Sequence, residues 1–153
     1  MAKNTSALKV VAARSKFDAG TRKKFDAVVV GKNTFETSKV PLLKRNTIVL
    51  TSAVKTTEEK FPHVWFVNYK TIDLNKFVKK LGFNKVAILG GSKVYSYCLA
   101  KGLMDEIYLT LEPAIFGKGI NLFAEDVLLD KKFKLFSIKK LNKQGSLLLQ
   151  YKK

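Results

Sequence analysis

Two apolar rhythms alternate along the chain. Near-continuous apolar runs fall at residues 8–13, 26–30, 47–50, 64–67, 85–89 and 106–111. Runs of this kind suit strands of a sheet covered on both faces. Between them the spacing lengthens. Leu74, Phe77, Val78 and Leu81 follow i, i+3, i+4, i+7, which predicts an amphipathic helix stopped by Gly82. Short helices are expected over 33–38, ended before Pro41, and over 19–25, weakened by Gly20; a longer one is expected over 92–100. Residues 133–141 and 146–151 alternate and meet at Asn142-Lys143-Gln144-Gly145, a hairpin signal. Strands interleaved with helices and closed by a hairpin predict one α/β domain over 1–153. Its central sheet is mostly parallel, with helices on both faces and an antiparallel C-terminal edge hairpin.

Two turns stand out against this pattern: Gly31-Lys32-Asn33-Thr34 and Gly90-Gly91-Ser92-Lys93. Each ends a buried strand and opens a predicted helix. Glycine lets a ligand approach the backbone closely, and the free N–H groups beyond it attract anions. Each turn also carries a lysine. Two such turns at strand carboxyl ends suit a nucleotide cofactor with several phosphates, since ligands of parallel sheets bind there. Cations at such turns suit a phosphate, whereas an acid would suit a bare ribose hydroxyl.

Composition narrows the classes further. With 46% hydrophobic and 11% aromatic residues, the 153-residue chain is expected to fold around a real core. No apolar run is long enough for a membrane span, and residues 1–11 lack a signal-peptide pattern, so cytosol is the expected location. The one cysteine, Cys98, allows no internal disulfide and leaves no metal-ligand cluster; it reads as core. His63 reads as structural. The net charge of +17 raises nucleic-acid binding. Yet only Arg14, Arg22 and Arg45 are arginines among 29 basic residues, and the lysines are spread along the chain. This reads as a solvated surface rather than a dedicated nucleic-acid site.

From Gly31 to Thr37 and from Pro41 to Ser52 the sequence resembles dihydrofolate reductase without a gap, as does Ile88-Leu89-Gly90-Gly91-Ser92-Lys93-Val94-Tyr95 followed by Ile107-Tyr108-Leu109-Thr110. The stretch 102–123, with Pro113 and Gly117-Lys118-Gly119, is similar instead to the reductase domain of riboflavin synthesis, which shares the fold. The resemblance implies a dihydrofolate-reductase-like fold and NADPH as cofactor. It implies cofactor contacts from Gly31, Lys32, Asn33, Thr34, Thr51, Ser52, Leu89, Gly90, Gly91, Ser92, Lys93 and Val94, and a cis peptide between Gly90 and Gly91. Arg45 matches the arginine that grips the glutamate carboxylate of folate. Phe35 is implied as a substrate contact, Tyr95 as a wall of the nicotinamide and pterin site, and Thr110 as the support of the substrate acid.

Asp18 is the candidate for that acid, with helix capping as its other reading. Asp26 is better read as the opening residue of a buried strand. The amino-terminal part departs from dihydrofolate reductases. Few residues separate the first strand from Asp18, and no tryptophan or proline precedes Pro41, so the family's long mobile loop is missing. A neighbouring subunit of a homodimer could serve as cover instead. The leading expectation is NADPH-dependent reduction of dihydrofolate, a small-molecule substrate. The alternatives are reduction of the ribosylaminopyrimidine phosphate of riboflavin synthesis, or a non-catalytic, basic nucleic-acid-binding protein on the same fold.

Overall fold

Alternation along the strands sorts their side chains onto two sides of one sheet, because successive residues of a strand point to opposite faces. In β2 (Ala27–Gly31), Ala27 and Val29 join one core cluster, Val28 and Val30 the other. In β3 (Thr47–Thr51), Ile48 and Leu50 face the first and Val49 the second; in β6 (Val86–Ile88), Val86 and Ile88 oppose Ala87. The first side is covered by α3 (Leu74–Lys80) through Leu74 and Val78, and by α4 (Ser92–Ala100) through Val94, Tyr95 and Cys98. The second is covered by α1 (Lys32–Thr37) through Phe35 and by α2 (Lys39–Leu42) through Leu42. The computed structural model that shows this describes residues 8–12, 24–115, 117–124 and 131–153.

The remaining strands are β1 (Leu8–Ala12), β4 (Thr57–Phe61), β5 (Val64–Asn68), β7 (Glu106–Leu111), β8 (Lys134–Lys140) and β9 (Leu147–Lys152). The sheet runs β4-β5-β3-β2-β6-β1-β7-β9-β8. From β5 to β7 every neighbouring pair is parallel; β4 and the β8–β9 hairpin are antiparallel additions at the two edges. The predicted architecture is therefore observed, with helices on both faces and the closing hairpin in place. No helix among the described residues is long and apolar enough to cross a membrane.

Two local features differ from expectation, and a third expectation falls outside the described residues. Strand β4 was not foreseen, because Thr-Glu-Glu-Lys-Phe has no apolar alternation and is almost wholly exposed. It forms by pairing with the outer edge of β5, through a turn in which His63 takes φ 64° and donates its N–H to Glu59 Oε1 at 2.9 Å. Pro41 lies inside α2 rather than after a helix. It is tolerated because the first turn of a helix uses no N–H. The helix expected over 19–25 lies outside the described residues except for Lys24 and Phe25, which are not helical.

The amino ends of the central strands are stitched by Asp26. Its carboxylate accepts the N–H groups of Asn84 at 2.7 Å and Lys85 at 2.8 Å, and its carbonyl accepts Asn46 Nδ2 at 2.9 Å. Asp26 thus opens β2, as the sequence suggested, and holds β6 and β3 beside it. Cys98 is fully buried, and desolvation pushes its thiol up to about 12. Replacing Asp26 by Ala leaves two backbone donors without their acceptor and should lower the unfolding free energy by about 1–2 kcal/mol, read from urea denaturation.

Candidate cofactor site

Strands β2 and β6 are parallel neighbours, yet the helices that follow them leave for opposite faces of the sheet. A crevice opens at the carboxyl ends of two such strands. Both glycine turns sit there. They are tied to one another: Gly31 N–H donates to Gly90 O at 3.2 Å, and one step back Leu89 N–H donates to Val29 O at 2.9 Å.

The close approach explains the glycines. A Cβ on Gly31 would stand 3.1 Å from Val94 Cγ2. Gly90 takes φ +130°, a region L side chains rarely adopt, and a Cβ there would also meet Tyr95 Oη at 3.4 Å. The cis peptide expected between Gly90 and Gly91 is not present; no cis bond occurs among the described residues. The chain turns instead through the φ of Gly90 and an unusual Gly91, at φ 9° and ψ 166°, with the bond trans.

The two turns line a single cavity of about 660 Å³. Gly31, Lys32, Asn33 and Thr34 form one side; Gly91, Ser92, Lys93 and Val94 form the other. Gly31 and Gly91 are the residues preceding α1 and α4, so neither helix start has a side-chain cap, and neither has an acid in its first turn. Among the described residues the lining contains Lys32 and Lys93 and no carboxylate. Such a cavity attracts anions.

The other predicted residues divide into those near the cavity and those away from it. Gly90 is buried just behind the wall, and half-buried Leu89 packs toward the α1 side of the sheet. Thr51 and Ser52 follow the lining residue Leu50. Thr51 is buried with its Oγ1 accepting Ala53 N–H at 3.1 Å, and Ser52 is exposed on the loop. That loop is anchored by Asn68, whose Nδ2 donates to Val54 O at 2.8 Å. Tyr95 is buried; desolvation, with a smaller effect of Cys98, pushes its hydroxyl up to about 12. Thr110 is half-buried on β7, two strands from β6, which sets it about 10 Å away across the sheet.

Arg45 lies before β3, at the amino edge of the sheet, about 15–20 Å along the strand from the glycine turns. Its N–H donates to Leu42 O at 3.3 Å and its carbonyl accepts Thr47 Oγ1 at 3.3 Å. Phe35, implied as a substrate contact, lies in the core. Its ring is fully buried, with the Phe66 ring at 5.5 Å and the Phe61 ring at 6.3 Å, because α1 turns this residue into the core. Asp18 lies outside the described residues.

Sequence reasoning missed Tyr69, Ser96 and Tyr97. The rings of Tyr69 and Tyr97 stand 5.5 Å apart at 69° and wall the cavity. Burial raises the Tyr97 hydroxyl above its ordinary value, with smaller contributions from Cys98 and Asp73. Tyr69 directly follows β5 at the same sheet edge as the glycine turns, and that position was the available signal. Ser96 Oγ accepts Ala124 N–H at 2.7 Å, which brings the end of the loop after β7 to the cavity.

A mostly parallel sheet with antiparallel edges and a crevice between β2 and β6 defines the dihydrofolate-reductase-like fold. The family model described as dihydrofolate reductase matches residues 4–141. The chain belongs to that family, which is one of oxidoreductases. An uncharacterised protein of Bacillus subtilis (strain 168), YwjB, is 27% identical over 105 residues, covering 65% of this chain and 59% of its own length. The chain thus matches little more than half of that relative.

Solved structures share the fold. A putative riboflavin biosynthesis protein from Shewanella sp. PV-4 superposes with a TM-score of 0.76 at 19% identity, covering 95% of this chain and 97% of the other. A pyrimidine reductase-like protein from Corynebacterium diphtheriae gives 0.67 at 13% identity, covering 95% and 90%. The diaminohydroxyphosphoribosylaminopyrimidine deaminase/5-amino-6-(5-phosphoribosylamino)uracil reductase of Thermotoga maritima gives 0.62 at 20% identity, covering 95% of this chain and 55% of that one.

Because Gly90 holds a φ that side chains avoid, Gly90→Ala should lower stability by about 1–3 kcal/mol and shift the second turn. Urea denaturation measures the first effect, and amide chemical shifts around Gly91 the second.

Proposed function

We propose that the cavity binds NADPH and that the protein directs its hydride to dihydrofolate. The observation that carries this reading is the convergence of both glycine turns, each with its lysine, on one cavity whose described lining residues include no carboxylate. Its volume lies in the range of cofactor sites, roughly 300–1,000 Å³. An acid at the rim would suit the bare ribose hydroxyl of NADH; Lys32 and Lys93, with the nearby Ser52 hydroxyl, suit a 2′-phosphate. The backbone of the two turns, with Asn33 and Thr34, would hold the pyrophosphate. Leu50, Tyr69 and Tyr97 offer an apolar and aromatic wall for the adenine. Leu89, Gly90 and Tyr95 would place the nicotinamide end.

NADPH, when bound, supplies the hydride; the chain supplies orientation and electrostatics. Asp18 would accept hydrogen bonds from the pterin N3–H and 2-amino group and favour protonation at N5, the proton coming from solvent. Thr110, at the same sheet edge as the cavity, would support that carboxylate. Arg45, set apart at the other edge, suits the distal carboxylate of an extended substrate rather than the cofactor. A second reading, reduction of the ribosylaminopyrimidine phosphate of riboflavin synthesis, is favoured by the residues over 102–123 and by the names of the proteins that share the fold.

Fluorescence titration and steady-state turnover test the proposal. Lys32→Ala with Lys93→Ala should raise the Kd for NADPH about 10–100-fold and leave that for NADH nearly unchanged. Turnover with dihydrofolate supports the first substrate reading, and turnover with the pyrimidine alone supports the second. Asp18→Asn should lower kcat about 100-fold without altering NADPH affinity. No affinity for NADPH, together with salt-sensitive binding of RNA or DNA, would overturn the proposal in favour of a nucleic-acid-binding protein.

A further inference from the structure

The end of the sheet opposite the cofactor cavity carries a row of aromatic rings. Strand β5 is entered through the turn at His63, and α3 is followed by Gly82 and Phe83, so both segments lie at the amino ends of the parallel strands. There the His63 and Trp65 rings stand 6.4 Å apart at 72°, and the Trp65 and Phe83 rings 6.0 Å apart at 63°. Trp65 is the chain's one tryptophan; it and Phe83 are half-buried, and His63 is exposed. Lysines flank the row. Lys79 and Lys80 end α3, Lys85 leads into β6, and Lys44 and Lys24 precede β3 and β2. Further along the same end, Lys101 follows α4, and Lys131, Lys132 and Lys153 line a small hollow beside Gly102. The described acids at this end are Asp26, Glu59, Asp105 and Glu106. Three of them already accept protein donors: Asp26 the N–H groups of Asn84 and Lys85, Glu59 the His63 N–H, and Glu106 the Tyr108 hydroxyl at 2.8 Å.

We propose that this end of the sheet binds single-stranded nucleic acid, with phosphates on the lysines and bases on the row of His63, Trp65 and Phe83. Lysine alone would not single out this end, because lysines occur over the whole surface. The rings do. A strand held without sequence preference needs a cationic track and aromatic faces on which unpaired bases stack, and both are present here. A duplex keeps its bases inside and would use the charge alone. A lipid surface needs exposed apolar side chains that insert, and none of the large exposed hydrophobic residues lies between His63 and Lys85. From β5 to β8 the sheet crosses seven strand spacings, about 33 Å, which is room for several nucleotides. The track lies a strand length, about 15–20 Å, from the glycine turns. A bound strand and a bound cofactor are therefore compatible, and the inference does not depend on which substrate is reduced.

Fluorescence anisotropy with a labelled oligouridylate of about twelve nucleotides tests this on the full chain. The Kd should be about 1–100 μM at low salt, with log K falling against log salt at a slope of about −2 to −4. Lys79→Gln with Lys80→Gln and Lys85→Gln should raise the Kd about tenfold or more and flatten the slope by about 2. His63→Asn removes one ring and keeps a residue that tolerates positive φ; it should raise the Kd about fivefold or more and leave the slope unchanged. Lys139→Gln with Lys143→Gln, away from this end, is the control for general charge and should change the Kd less than about twofold. All six substituted residues are exposed, so the variants should melt cooperatively like the wild type. Saturating NADPH should not displace the oligonucleotide, and Lys32→Ala with Lys93→Ala should leave it bound, so failure of the cofactor reading and failure of this one are read separately. Displacement by NADPH puts the strand in the cavity and overturns the inference. So does a Kd unchanged in His63→Asn, a loss in the Lys139 and Lys143 control equal to that of the Lys79, Lys80 and Lys85 variant, a duplex bound as tightly as the single strand, or binding to phosphatidylserine vesicles without binding to the oligonucleotide.

Discussion

One backbone hydrogen bond, from Gly31 N–H to Gly90 O, ties together the two turns on which the proposed cofactor site rests. It exists because β2 and β6, far apart in sequence, are parallel neighbours whose carboxyl ends coincide. The helices that follow them cover opposite faces, so the crevice between the two strand ends cannot be filled by either helix. The bond also sets a steric condition. With the two turns this close, a Cβ on Gly31 presses on Val94, and Gly90 must adopt a conformation reserved in practice for glycine. The residues that permit the fold at this point are the residues that leave room for a ligand backbone-close.

Charge acts on top of that geometry. Lysine is abundant over the whole chain, so its abundance identifies nothing. Placement does: Lys32 and Lys93 are both at the rim of one cavity, and no acid joins them among the described residues of the lining. The opposite end of the sheet is organised by an acid instead, with Asp26 gathering backbone donors from the strand starts. The sheet thus has an end closed by a carboxylate and hydrogen bonds, and an end left open between glycines. The aromatic pair Tyr69 and Tyr97 gives the open end a wall that the phosphate-directed reading of the sequence did not supply.

The parallel core was legible because its strands bury both faces, and burial writes itself as unbroken apolar runs such as Ala27-Val28-Val29-Val30. The helix from Leu74 was legible from its spacing, and its Asp73 cap is observed with the carboxylate accepting Lys76 N–H at 3.0 Å. Strand β4 was not, since pairing with a ready edge requires no apolar signal of its own. The glycine turns were legible as chemistry, but the trans Gly90–Gly91 bond was not, because the resemblance specified a peptide geometry that this backbone does not use. Phe35 was named from its place in a motif, which does not determine the face of a six-residue helix; its ring lies in the core. Tyr69 was overlooked because a tyrosine after a strand carries no motif, although its position at the carboxyl edge placed it beside the site.

The central claim is that the two tied glycine turns cradle a phosphorylated dinucleotide, and a crystal structure grown with NADPH addresses it most directly. The account predicts the pyrophosphate between the turns and the 2′-phosphate within ion-pair distance of Lys32 or Lys93. A cavity closed by protein side chains, or the cofactor bound at another surface with both turns unengaged, would contradict it.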